Sequence, residues 1–139
     1  MLKILIPVDG SDNSLRAAAY VVRMAGKAGE PIEIHLLNVQ HPFPGTIKGV
    51  ARQAKQHHHD QGVKALAGAR KLLDKAKLNY SFHIGVGEVA EVVAGFVSEL
   101  KCDQVAMGTR GMSSIANMVL GSVASKVLHL VKVPVLLVK

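Results

Sequence analysis

Apolar residues fall along this chain in two alternating rhythms. Short, nearly continuous apolar runs occur at 2–8, 32–39, 78–84, 103–107 and 133–138, and each has the length and β-branched content of a strand. Between them lie stretches whose apolar residues return every three to four positions, as on one face of a helix. Leu15, Ala18, Ala19, Val22 and Ala25 mark the first, from a cap at Ser11 or Asp12 toward Gly29. A long second stretch, 46–77, is rich in Ala, Lys, Gln and Leu, though Gly62 and Gly68 should weaken it and the segment around His57 reads as irregular. Val89, Val92, Val93 and Phe96 mark the third, over 88–100. Val123, Val127 and Leu130 mark the fourth, which starts at Ser122. His41-Pro42-Phe43-Pro44-Gly45 is a loop.

The order β-α-β-α-β-α-β-α-β predicts an α/β fold: a parallel sheet with helices on both faces, joined by right-handed crossovers. With 139 residues and no linker or internal repeat, the chain reads as one domain, 1–139. In such sheets a ligand sits beyond the carboxyl ends of the strands, where the strand order reverses. The first strand ends near Asp9 and the fourth near Gly108, so these two regions would face one crevice if the two strands are neighbours at the reversal.

Between the fourth strand and the fourth helix the chain reads Met107-Gly108-Thr109-Arg110-Gly111, then nine residues, then Gly121-Ser122-Val123. Glycines permit close backbone approach, and a helix start presents N–H groups without internal partners at the positive end of the dipole. Together they suit a phosphate. Ser122 can equally be read as a helix cap, and Asp9 as a cap on the turn before the first helix. The spacing is neither that of a P-loop nor that of the dinucleotide fingerprint.

It resembles closely the Gly-two-Gly-nine-Gly-Ser/Thr motif of the ATP-binding branch of the universal stress protein family. Gly108, Gly111, Gly121 and Ser122 match its fixed positions, Ile6-Pro7-Val8-Asp9 looks like the family's first strand, and 132–138 like its last. The resemblance implies a five-stranded sheet of order 3-2-1-4-5, Rossmann-like and similar to the adenine nucleotide alpha-hydrolases. It implies ATP as ligand, with Mg²⁺. Asp9 would bind the ribose, Pro7 and Val8 would line the base pocket, and Val39 would meet adenine through its backbone. Met107 and Gly108 would touch base and ribose, and Gly111, Gly121, Ser122 and Val123 would hold the phosphates. Independently of the family, Arg110 lies between the first two glycines, either over the phosphates or in solvent. Lys126 lies one turn beyond Ser122, and a solvated helix face is its ordinary place.

Composition narrows the function further. The formal charge is +7, but the 17 Lys and Arg are scattered and aromatics are few, which argues against a nucleic-acid partner. The one cysteine, Cys102, permits no internal disulfide, and no apolar run approaches a membrane span, so a cytoplasmic protein is expected. His57-His58-His59-Asp60 points its side chains in different directions and is not expected to hold a metal. His35, His41, His83 and His129 stand apart, with no carboxylate partner assignable. No Asp or Glu occurs from Thr109 to Lys139, so nucleotide binding is better supported than turnover. The chain is expected to be a nucleotide-sensing stress-response module and not an enzyme. The alternatives are a dimeric interaction module that binds no nucleotide, or a slow ATPase or self-phosphorylating protein with Ser113, Ser114 or Ser122 as acceptor. Finally, the run 133–138 has no polar face and would lie at a sheet edge, which predicts a homodimer through that strand.

Overall fold

The computed structural model describes residues 1–42, 51–109 and 120–139, the side chain at position 51 excepted. The elements run β1 (Leu2–Pro7), α1 (Asp12–Ala25), β2 (Ile32–Gln40), α2 (Ala51–Lys75), β3 (Tyr80–Val86), α3 (Val89–Leu100), β4 (Gln104–Gly108), α4 (Ser122–Leu130) and β5 (Val135–Val138). All strand pairings are parallel, in the order β3-β2-β1-β4-β5. The order reverses between β1 and β4, as the family resemblance leads one to expect.

Period-two alternation divides the core into two layers. Ile4, Ile6, Ile34 and Leu36 meet α1 and α2 through Ala17, Ala18, Val21, Leu66, Ala69 and Leu73. Leu5, Leu37, Val105 and Met107 meet α3 and α4 through Ala90, Val93, Val97, Ala124 and Val127. The central strands are covered on both faces, which is why they read as continuous apolar runs.

Several boundaries differ from the sequence expectation. The strand expected at 78–84 is Tyr80–Val86, because Leu78 belongs to the end of α2. Lys77 is left-handed (φ 58°) and Leu78 N–H donates to the Leu73 carbonyl at 3.0 Å, a Schellman closure with lysine where glycine is usual. The end of α3 repeats the device: Lys101 has φ 56° and Cys102 N–H donates to the Val97 carbonyl at 2.9 Å. α2 is continuous through His57–His59, contrary to the irregular segment expected. Its two glycines are close-approach positions. A Cβ on Gly62 would lie 2.6 Å from Ile84, and one on Gly68 3.0 Å from Leu15. α1 stops at Ala25, capped by Gly26, and β5 begins at Val135 rather than 133. Residues 46–50, expected to begin α2, lie outside the described residues.

His35 and His83 are not isolated. His35 is 8% exposed, its Nδ1 lies 3.0 Å from His83 Nε2, and its Nε2 lies 2.8 Å from Glu33 Oε2. Lys3 Nζ reaches the same carboxylate at 3.8 Å, and Phe96 of α3 rests on the His83 ring. The hydrogen bond from His35 holds Glu33 below the usual carboxylate range, with Lys3 assisting. Only one hydrogen fits between the two imidazoles. Burial, and then the charge at His35, lower the His83 pKa, while Glu99 opposes them. The unfolded chain therefore takes up this proton first as pH falls, so stability declines below about pH 6.5. Urea midpoints should fall more steeply toward acid in the wild type than in His83→Gln. Parallel slopes would show that this pair does not set the acid sensitivity.

Candidate functional site

A cavity of about 460 Å³ opens at the carboxyl ends of β1, β2 and β4, within the size range of small-ligand sites. Pro7, Val8 and Asp9 enter it from β1, Val39 from β2, Met107 and Gly108 from β4, and Val123 from α4. These seven sequence-selected residues, from four segments, are brought to one crevice. Arg110 and Gly111 lie outside the described residues.

The ends of the glycine segment are brought together. Gly121 N–H donates to the Thr109 carbonyl at 2.6 Å, and Thr109 N–H donates to the Val138 carbonyl at 3.2 Å. The chain thus leaves β4 and re-enters α4 at adjacent points beside the cavity. The helix cap is Gly121 and not Ser122, which is the first helical residue and is exposed. Glycine offers no capping side chain, and among the described residues no side-chain acceptor serves the first turn of α4. The two other described helix starts are different. Ser11 Oγ accepts from Ser14 N–H at 3.2 Å in α1, and the Glu88 carboxylate accepts from Ala90 and Glu91 N–H groups in α3. Those two helix starts thus have a side-chain acceptor of their own. At α4 no such acceptor is present among the described residues, which suits an anion, and Val123 and Ala124 of this turn border the cavity.

A second polar feature comes from the strand edge. Val8 N–H donates to the Leu37 carbonyl at 2.8 Å, and β1 offers β2 no pairing partner beyond this point. Gly87 N–H donates to the Gln40 carbonyl on the opposite edge. Strand alternation then turns the Val39 N–H and C=O toward the side that β1 has vacated. One donor and one acceptor, side by side, face the crevice.

Asp9 is exposed, and its Oδ1 accepts from Ser11 N–H at 2.9 Å. It makes the local turn, and its Oδ2 remains for other contacts. Lys126 is engaged by the start of α3. Its Nζ pairs with Glu88 Oε2 at 3.4 Å, and this pair, with two backbone N–H donors, keeps the Glu88 carboxyl below its usual range. Backbone donation from Glu91 is the largest cause.

Sequence reasoning missed much of the cavity wall: Ser14, Asn38, Gln40, His41, Gln61, Ala65, Val89 and Thr109 also border it. Asn38 and Gln40 carried a usable signal, two polar residues at period two closing an apolar strand. Gln61 and Ala65 carried none, because only the docking of α2 brings them there. His58 Nε2 lies 2.9 Å from the His41 carbonyl oxygen, and among the described residues no group of three metal-ligating side chains converges.

The sequence profile of the universal stress protein family matches residues 1–139. The chain belongs to the universal stress protein family. It is 32% identical to universal stress protein MJ0531 of Methanocaldococcus jannaschii, over 99% of this chain and 81% of that one. Its fold matches a universal stress protein in complex with cAMP at a TM-score of 0.74, with 24% identity over 99% of this chain and 97% of that one. It matches the universal stress protein of Archaeoglobus fulgidus in complex with dAMP at a TM-score of 0.65, with 21% identity over 100% and 98% of the two chains. These two likenesses establish a shared universal stress fold.

Proposed function

We propose that this chain, acting as one domain, binds an adenine nucleotide, ATP with Mg²⁺, in the cavity between β1 and β4. The observation that carries the reading is the start of α4, which has no side-chain cap and borders a nucleoside-sized cavity. The Ser122 and Val123 N–H groups would hold phosphate oxygens there. Gly121, whose own N–H is engaged by Thr109, would allow their close approach, and Gly111 and Arg110 would complete the loop, with Gly108 at the ribose. Val39 would meet the base edge with its N–H and C=O, beside Pro7, Val8 and Met107. Asp9 Oδ2 would accept from a ribose hydroxyl. The cAMP- and dAMP-bound relatives support an adenine ligand. Mg²⁺ would be carried on the phosphate oxygens, since the chain from Thr109 onward has no carboxylate to hold it.

The same shortage favours binding over turnover. Glu88, on the adjoining helix, is engaged as the cap of α3 and as partner of Lys126. We read the protein as a regulatory module that responds to nucleotide in the cytoplasm, not as an enzyme. Calorimetric titration of the full chain with ATP, with and without Mg²⁺, tests this. One nucleotide bound per chain, with no phosphate released during the titration, is expected. No binding at millimolar ATP would end the nucleotide reading. Asp9→Ala should weaken ATP by about 1–3 kcal/mol, the range for a lost hydrogen bond to a charged group. An unchanged affinity would confine Asp9 to its turn.

The partner is proposed to be a second copy. β5 is an edge strand whose four residues, Val135, Leu136, Leu137 and Val138, are all half-buried in the single chain. Antiparallel pairing of two β5 strands about a two-fold axis would cover them. Val135→Lys should shift the protein from dimer to monomer by light scattering. A wild type that is monomeric at micromolar concentration would remove this assembly.

A further inference from the structure

One donor and one acceptor at Val39 do not by themselves distinguish adenine from a 6-oxopurine. Adenine presents an acceptor at N1 beside its 6-amino donor. Hypoxanthine presents a donor at N1 beside an acceptor at O6, and a small in-plane shift lets the same peptide satisfy it. Selection between them needs a group whose polarity is fixed.

Gln40 is such a group, and its polarity is set from the buried end. The Val8 carbonyl can only accept, so the amide nitrogen of Asn38 must face it, at 2.8 Å. Asn38 is 3% exposed and thus turns its Oδ1 the other way, toward Gln40. Gln40 Nε2 donates to that oxygen at 2.6 Å. This bond uses one of the two Nε2 hydrogens and fixes the orientation of the amide, so Oε1 is an acceptor that cannot exchange places with its amide nitrogen while this relay holds. Gln40 borders the cavity on the same strand end as Val39. A carbonyl oxygen fixed there attracts an amino group and repels a keto oxygen.

We propose that Gln40 selects the base: the Val8–Asn38–Gln40 relay holds its side-chain carbonyl as an acceptor, so that the site takes a 6-aminopurine and rejects a 6-oxopurine. This rests on the nucleotide reading above and adds the origin of its selectivity. The backbone reads the edge, and the side chain decides which edge is allowed.

The test is calorimetric titration of the full chain with ATP and with inosine triphosphate, which differ only in the 6-substituent and the N1 hydrogen. Wild type should favour ATP at least about tenfold, because the oxo analogue places two acceptors face to face. Gln40→Met, of similar length but without polar atoms, should bring the ratio to within about threefold. Asn38→Ala, checked for folding by circular dichroism, leaves Gln40 in place but free to turn its amide. It should narrow the ratio by strengthening inosine triphosphate rather than by weakening ATP. A wild type without preference, or either folded variant with the wild-type ratio, would overturn the proposal. Those outcomes leave ATP binding itself standing, whereas a wild type that binds neither nucleotide removes the reading beneath it.

Discussion

Replacing Gly108 by alanine is expected to lower the free energy of unfolding by about 1–3 kcal/mol, the range for overpacking a filled site. Gly108 closes β4 and does not have the positive φ that favours glycine, so no turn requires glycine there. The requirement is steric. A Cβ would land on the amide oxygen of Asn13, 2.7 Å from its Cγ and 2.9 Å from its backbone oxygen. The amide can rotate away, but the backbone oxygen cannot, so the first turn of α1 must move. That turn is continuous with Ser11 and Asp9, and nucleotide affinity should fall along with stability. Urea unfolding of Gly108→Ala checks the first effect. A loss under about 0.5 kcal/mol, typical of neutral surface changes, would contradict the packing account.

Gly121→Val should fail in the opposite way, losing the ligand and keeping the fold. The backbone at Gly121 has φ −67° and ψ 157°, values that valine adopts without strain. Its branched side chain would stand at the start of α4, where phosphate oxygens are proposed to meet the free N–H groups. ATP affinity should drop at least about a hundredfold, equivalent to ~2.7 kcal/mol. Titration of a variant with wild-type circular dichroism and urea midpoint checks this. An unchanged dissociation constant would place the phosphates elsewhere. Two glycines of one motif thus differ in kind, one held by a neighbouring helix and the other by the proposed ligand.

The alternation of elements and the parallel sheet were legible because they depend on patterns that repeat, whereas the strand order, and with it the meeting of Asp9 with Gly108, came from the family resemblance of the glycine motif and the first and last strands. Apolar runs alternating with helical faces admit few topologies, and the crevice follows from the reversal. What was not legible depended on particular contacts. Lys77 and Lys101 end their helices in a conformation that glycine usually signals, so the boundary at Leu78 was misplaced. Gly62 and Gly68 look like helix breakers until Ile84 and Leu15 are seen against them. The pairing of His35 with Glu33 needed only neighbouring positions on one strand face, yet His83 enters through β2–β3 pairing, which spacing alone does not fix. Lys126 matched the phosphate end by helical spacing, but Glu88, brought alongside by the packing of α3 on α4, takes its charge.

The seam that forms the crevice joins distant parts of the chain. Lys3 N–H donates to the Asp103 carboxylate at 2.9 Å across 100 residues, and Asp103 N–H returns a bond to the Lys3 carbonyl at 2.8 Å. During synthesis β1 can pair with β2, and β2 with β3, through local crossovers, while the other edge of β1 stays open. Contacts of such separation form late, after much of the chain entropy has already been lost. The cavity therefore has only one wall in every nascent chain shorter than β4, and its second wall is complete only when α4 has emerged. A ligand that touches both sides would act as a clasp across the seam whose second wall is the last to be synthesised.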